Sequence, residues 1–126
     1  MSTLHYAAPP LLVDDLRAAV FFHAEKLGFT CQFVYKSSYA AVARDQSVIH
    51  LKCAPKTVAD RANRQHNGHL DVYIEVDDAA ALHDEFNPRL VPISQPLTTQ
   101  AWQMVDFQVT DPDGYVLCFS SDQIET

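Results

Sequence analysis

AWQMVDFQVTDPDGYVLCFS, residues 101–120, is the stretch whose reading decides the fold. It reads as two strands joined by an acidic turn, Asp111-Pro112-Asp113-Gly114. In the first strand Val105, Phe107 and Val109 fall on one face, and Met104, Asp106, Gln108 and Thr110 on the other. In the second, Tyr115, Leu117 and Phe119 alternate with Val116, Cys118 and Ser120. Alternation with a period of two means one buried face and one that is only partly apolar. Pro112 presets φ for the turn, and Gly114 supplies a positive φ. The hairpin is expected to form one wall of a ligand cleft.

Upstream of it, residues 69–76 alternate as a strand, with Leu70, Val72, Ile74 and Val76 against Asp71, Tyr73 and Glu75. Asp77 or Asp78 caps a helix over 79–86, with Ala79, Leu82 and Phe86 as its stripe, and Asn87-Pro88 stops it. A short strand over 90–93 and a loop over 94–100 lead into the hairpin. The first half has the same order. Residues 4–13 are apolar but carry Pro9-Pro10, so they predict an edge or interrupted strand. Asp14 or Asp15 caps a helix to about Leu27, striped by Leu16, Val20, Ala24 and Leu27 and widened by Ala19 and Phe22. Gly28 suits the left-handed position after it. Strands follow over 29–35, 39–44 and 47–53.

The polar stretch 54–68, APKTVADRANRQHNG, connects the halves, with a helical turn around 58–64 and a turn at Asn67-Gly68. The pattern is therefore α+β: two βαβββ modules in tandem, about 4–53 and 69–121, in one domain of residues 1–126. They form curved mixed sheets around a cleft, with helices on the outer face. Two helices cannot cover both faces of eight strands. The mixed faces, carrying Tyr39, His50, Lys52, Asp71, Tyr73, Glu75, Met104, Asp106, Gln108 and Cys118, are too polar for a dry core and too aromatic for plain solvent.

Composition limits the partners. The chain has 9 basic and 16 acidic residues, a net charge of −7. The basic residues are scattered, which argues against nucleic acid and for neutral or cationic ligands. No apolar run approaches the roughly 20 residues that span a bilayer. The N-terminus lacks a basic stretch followed by an apolar one, so no signal peptide is read and a cytoplasmic protein is expected. Cys31, Cys53 and Cys118 form no CxxC pair and read as buried thiols.

In this frame the sequence resembles the vicinal oxygen chelate superfamily, the glyoxalase, bleomycin-resistance and extradiol dioxygenase group. The matching pieces are Leu12-Val13-Asp14-Asp15-Leu16, Phe22 with Leu27-Gly28-Phe29, Val48-Ile49-His50-Leu51, Val72 through Asp78, Trp102-Gln103-Met104, and Phe107 through Gly114. The tryptophan-bearing strand before DPDG is most similar to the bleomycin-resistance branch. Aligned on these motifs, the family's four metal positions fall on Ala8, His50, Asp71 and Cys118. Ala8 cannot coordinate, and the other three do not resemble the family's His/Glu sets. His5, three residues earlier, enters only through a register change at Pro9-Pro10.

The resemblance thus implies a small-molecule-binding homodimer of the bleomycin-resistance type, with no required metal and no cofactor. Its proline-bearing first strand is similar to the arm such proteins exchange between subunits. The expected ligand contacts are Phe33, Tyr35, Tyr39, His50, Lys52, Asp71, Tyr73, Trp102, Met104, Asp106 and Cys118. Phe33, Tyr35, Tyr39 and Trp102 offer flat faces for planar groups, and the acids suit a cation. The alternative is a metal-dependent lyase, isomerase or dioxygenase using His50 and Asp71. A titrating His50 beside a carboxylate can act as a general base, but no GxSxG, P-loop or dinucleotide fingerprint is present. His66 and His69 read as a solvated loop, His23 as a hydrogen-bonded structural histidine, and His83 as a surface residue.

Overall fold

The computed structural model describes residues 2–54 and 70–122. Most of the connection expected over 54–68, its helical turn, the Asn67-Gly68 turn, and His66 and His69 lie outside the described residues. The chain divides into two units, Met1–Pro55 and Lys56–Thr126. Each carries a helix and a four-stranded mixed sheet, the tandem βαβββ arrangement expected from the sequence.

In the first unit the strands are β1 (Pro10–Val13), β2 (Thr30–Tyr35), β3 (Tyr39–Arg44) and β4 (Ser47–Cys53), in sheet order β1-β4-β3-β2. β1 runs parallel to β4, and the other pairs are antiparallel. The first strand is shorter than residues 4–13 because Pro9 and Pro10 have no N–H for a ladder. The carbonyl of Pro9 still accepts from the His50 N–H at 3.0 Å. Leu11, Val13, Ala40, Val42, Ile49 and Leu51 are buried. Register places them on one face, and α1 packs against β3 and β4.

The first helix is not regular to Leu27. α1 covers Leu16–Phe21, and Phe22–Lys26 continues it as a π-helical turn. Asp15 caps the start, its carboxylate accepting from the Ala18 N–H at 3.1 Å. The wider turn takes two successive residues, Phe22 and His23, into the core. The His23 ring is fully buried, edge-on to Phe22 and Phe29 at 5.6 and 5.9 Å, with Nδ1 2.9 Å from the Ala19 carbonyl. It is structural, as expected. Gly28 closes the helix at φ 78°, and the Arg44 guanidinium donates to the Leu27 carbonyl at 2.8 Å.

The second unit holds β5 (Val72–Glu75), α2 (Ala79–Phe86) with a 3₁₀ turn Asn87–Arg89, β6 (Ile93–Thr99), β7 (Met104–Thr110) and β8 (Val116–Asp122). The order is β5-β8-β7-β6, with β5 parallel to β8. Residues 94–100, expected as a loop, mostly belong to β6. Pro96 and two register shifts hide the period-two signal there, and an edge strand tolerates both. Leu90, expected to start a strand, instead ends the 3₁₀ turn at φ 58°.

The core of this unit is aromatic. Phe107 and Phe119 stack at 5.3 Å, and Phe86 of α2 meets both edge-on at 5.9 and 5.5 Å. His83 is not a surface residue. Its side chain is 24% exposed and its ring packs edge-on to Phe107 at 5.2 Å. One turn of helix separates it from Phe86, so both reach the same ring. Ser121, on the helix side of β8, accepts from the Ala79 N–H at 2.9 Å and ties α2 to the sheet.

Candidate functional site

In the first unit, antiparallel pairing sets two rows of side chains on the face away from α1. One row is Tyr35, Tyr39, Lys52 and Leu12; the next is Phe33, Ala41, His50 and Pro10. Partners in a row stand on the same face about 5 Å apart. Ala41 is small, so Tyr39 leans across it toward both neighbours. Its ring is parallel to Phe33, 6.4 Å between centroids and 8° between planes. Its hydroxyl is 2.9 Å from His50 Nδ1. The structure therefore joins Phe33, Tyr39 and His50 into one contact set. Phe33 and Tyr35 are 49% and 59% exposed, so flat apolar surface is open. Lys36, which sequence reasoning missed, holds its ammonium 5.4 Å from the Tyr35 ring centre. Its backbone has φ 52°, in the turn between β2 and β3. On the helix side, an open groove of about 560 Å³ lies at the start of α1, between Arg17, Val20, Val34 and Lys36.

In the second unit the corresponding face is set by β5, β8, β7 and β6. One row is Tyr73, Cys118, Gln108 and Gln95; the next is Glu75, Ser120, Asp106 and Thr98. This face is more buried than its polarity suggested: Asp106, Cys118 and Ser120 are all buried. Gln95 and Gln100 donate their side-chain N–H groups to Asp106 Oδ1 at 2.7 and 2.9 Å. Gln108 donates to Gln95 Oε1 at 3.0 Å. Burial, and secondarily the Asp106 charge beside it, push the Cys118 thiol up to about 11. Met104 is half-buried at the start of β7, opposite Asp122.

Two expected contacts are placed differently. Trp102 is not in a strand; it lies in the β6–β7 turn and is 67% exposed. The turn is closed by Gln100 N–H to the Met104 carbonyl at 2.7 Å and Gln103 N–H to the Gln100 carbonyl at 3.0 Å, with Gln103 at φ 68°. Asp71 precedes β5, and its Oδ2 accepts from the Val116 N–H at 2.9 Å, so its carboxylate holds the β5–β8 pairing. Tyr73 is exposed. Gln95, Gln100 and Ser120 were not candidates. The glutamines lie in the stretch read as a loop, where no periodicity assigned them a face.

The donor chemistry does not fit the metal sets of the resembled family. Ala8 has no ligating atom. His50 Nδ1 is engaged by Tyr39, and Asp71 by backbone. The Cys118 thiol stays protonated at neutral pH. Among the described residues, no group of three or more His, Cys, Asp and Glu side chains is arranged to hold a metal ion. None of their helices is long and apolar enough to cross a membrane.

The chain is similar to several solved structures. One is a bleomycin-binding protein from bleomycin-producing Streptomyces verticillus, solved with copper(II)-bleomycin; identity is 25%, coverage 99% of this chain and 100% of that one, and the TM-score 0.71. A bleomycin resistance determinant encoded on transposon Tn5 shares 18% identity over 94% and 98% of the chains, at a TM-score of 0.77. A glyoxalase-related enzyme from Clostridium phytofermentans shares 18% over 96% and 97%, at 0.76. No curated protein matches by sequence. The profile of the Glyoxalase/Bleomycin resistance protein/Dioxygenase superfamily matches residues 3–119. With the duplicated βαβββ units, this match establishes that the chain belongs to the Glyoxalase/Bleomycin resistance protein/Dioxygenase superfamily.

Proposed function

We propose that this protein binds and sequesters a small molecule of the bleomycin type, one that carries cationic or planar aromatic groups, without a required metal. The observation that carries this reading is the likeness, at 25% identity over 99% of the chain, to a protein solved with copper(II)-bleomycin. The open Phe33, Tyr35 and Tyr39 rings support it, because exposed aromatic faces offer stacking to planar groups. The exposed Trp102 ring on a turn braced by two backbone hydrogen bonds supports it as well. We further propose that residues 1–126 act as one domain, in a cytoplasmic homodimer. His50, Lys52, Asp71, Tyr73, Met104, Asp106 and Cys118 complete the proposed contact set.

Titration calorimetry with copper(II)-bleomycin tests this. Stoichiometric binding is expected, weakened about tenfold by Trp102→Ala, the loss of one aromatic contact. The absence of binding to copper(II)-bleomycin would overturn the bleomycin-type reading. Metal analysis after incubation with divalent cations tests the metal-free part, and stoichiometric retention with thermal stabilisation would defeat it. A monomer by sedimentation at micromolar concentration would refute the dimer.

A further inference from the structure

Charge is divided unevenly along the chain. Residues 2–54 hold four Asp or Glu and five Lys or Arg, whereas residues 70–122 hold ten acids and one Arg. That Arg89 is paired with Glu85 at 3.1 Å, on α2 and its 3₁₀ extension. The sheet face of the second unit carries Glu75 and Asp106 in one row through Ser120, Asp122 opposite Met104 in the next, and no Lys or Arg.

Asp106 is the central member and is only 6% exposed. Its partners are neutral amides rather than a cation. The direction of the array follows from its own bonds. Gln108 donates to Gln95 Oε1, which leaves the Gln95 N–H groups to point at Asp106, where the Gln100 amide also points. Both amides meet Oδ1. Among the described residues no donor reaches Oδ2. Directly opposite on β8 stands Ser120, fully buried, and its hydroxyl has no hydrogen-bond partner among the described residues. Glu75 flanks Ser120 from β5. A buried hydroxyl with no partner is costly, and a carboxylate whose partners are neutral amides still attracts a cation. The Ser120 hydroxyl and Asp106 Oδ2 lie on one face, in adjacent strands, so one N–H-bearing cation can meet both.

We propose that Asp106, with Ser120 and Glu75, forms a subsite for the ammonium, amidinium or guanidinium group of a ligand. The group donates to Asp106 Oδ2 and to Ser120 Oγ, and Glu75 attracts it from the exposed edge. The fixed amides hold the carboxylate in place, so no protein rotor is frozen at Oδ1 when the cation arrives. The subsite rests on the small-molecule-binding reading above and names the charged part of that ligand.

The test uses phenethylamine and its uncharged N-acetyl form as probes, followed by the side-chain amide signals of Gln95, Gln100 and Gln108 in NMR. Phenethylamine should shift these signals and bind about tenfold or more tightly than the acetyl form, the weight of one charge-assisted hydrogen bond. Asp106→Asn, which is isosteric and retains Oδ1, should abolish that preference. Glu75→Gln, at an exposed position, should reduce it. Equal binding of the two probes to the wild-type protein, or no shift at these glutamines, overturns the subsite without recourse to any variant. Copper(II)-bleomycin separates the two readings. If it binds wild type and Asp106→Asn equally, the subsite fails while sequestration stands. If it does not bind at all but the amine preference is present and lost in Asp106→Asn, the subsite stands and the bleomycin-type ligand fails.

Discussion

Replacing Asp111 by Ala tests the turn that organises the second unit. Asp111 is 4% exposed, and its Oδ1 accepts from the backbone N–H groups of Asp113 at 2.9 Å and Tyr115 at 2.8 Å. Its own backbone closes the turn, donating to the Tyr115 carbonyl at 2.9 Å and accepting from Gly114 at 3.0 Å. Gly114 sits at φ 87°. Ala removes one acceptor and strands two backbone donors. A buried orphan donor costs about 1–3 kcal/mol, so the pair costs about 2–5 kcal/mol after some relaxation. That is a large share of the roughly 5–15 kcal/mol of a typical domain. At about 3–5 °C per kcal/mol for this size, Tm should fall by about 10–20 °C. Asp111→Asn keeps the Oδ1 acceptor and loses only the charge assistance, so about 1 kcal/mol is expected. Urea unfolding of the three proteins, with the slope held common, measures the difference. A loss below about 1 kcal/mol for Ala, or equal losses for Ala and Asn, would refute the claim that this carboxylate holds the turn.

Two further predictions address the second unit. Phe107→Ala empties the centre of the ring cluster formed with His83, Phe86 and Phe119, and should cost about 3–5 kcal/mol in urea unfolding; a cost near 1 kcal/mol would mean the cluster is not packed as described. Cys118 has its native pKa pushed up to about 11 from 9.0, so the native state holds the thiol proton more tightly than the unfolded chain. The stability this provides is complete below pH 9 and is lost as pH rises through about 11. Cys118→Ser should flatten that alkaline fall, and in the native protein at pH 8 iodoacetamide should label Cys31 while sparing Cys118, as read by mass spectrometry; rapid labelling of Cys118 would contradict its burial.

Several parts of the fold were legible because the physics is local. A cap at Asp14 or Asp15 and another at Asp77 or Asp78, the Gly28 stop and the Gly114 turn each follow from one side chain and its adjacent backbone; the structure selects Asp15 and Asp78. β3, β4 and α2 have the bounds that alternation or helical spacing predicts. β6 was not legible. Pro96 and its bulges break the period that sequence reasoning needs, and the strand exists because β7 supplies its ladder partners. The π-helical turn was hidden for a related reason: a strip of apolar spacing cannot show that both Phe22 and His23 go inward, since the ring that packs against His23, Phe29, lies beyond the helix.

The candidate site divides the same way. The sequence by itself determined which residue types share a sheet face, because side chains alternate along a strand whatever lies beyond it. It named Phe33, Tyr39, His50, Asp106 and Cys118 as expected contacts without setting any of them beside another. It did not determine what those residues touch. That Asp71 serves a backbone N–H, that Tyr39 engages His50, and that Gln95 and Gln100 converge on Asp106 depend on partners 45, 11, 11 and 6 residues apart in sequence. Only the tertiary structure decided these, because a hydrogen bond requires about 3 Å and the right angle, and strand register sets both.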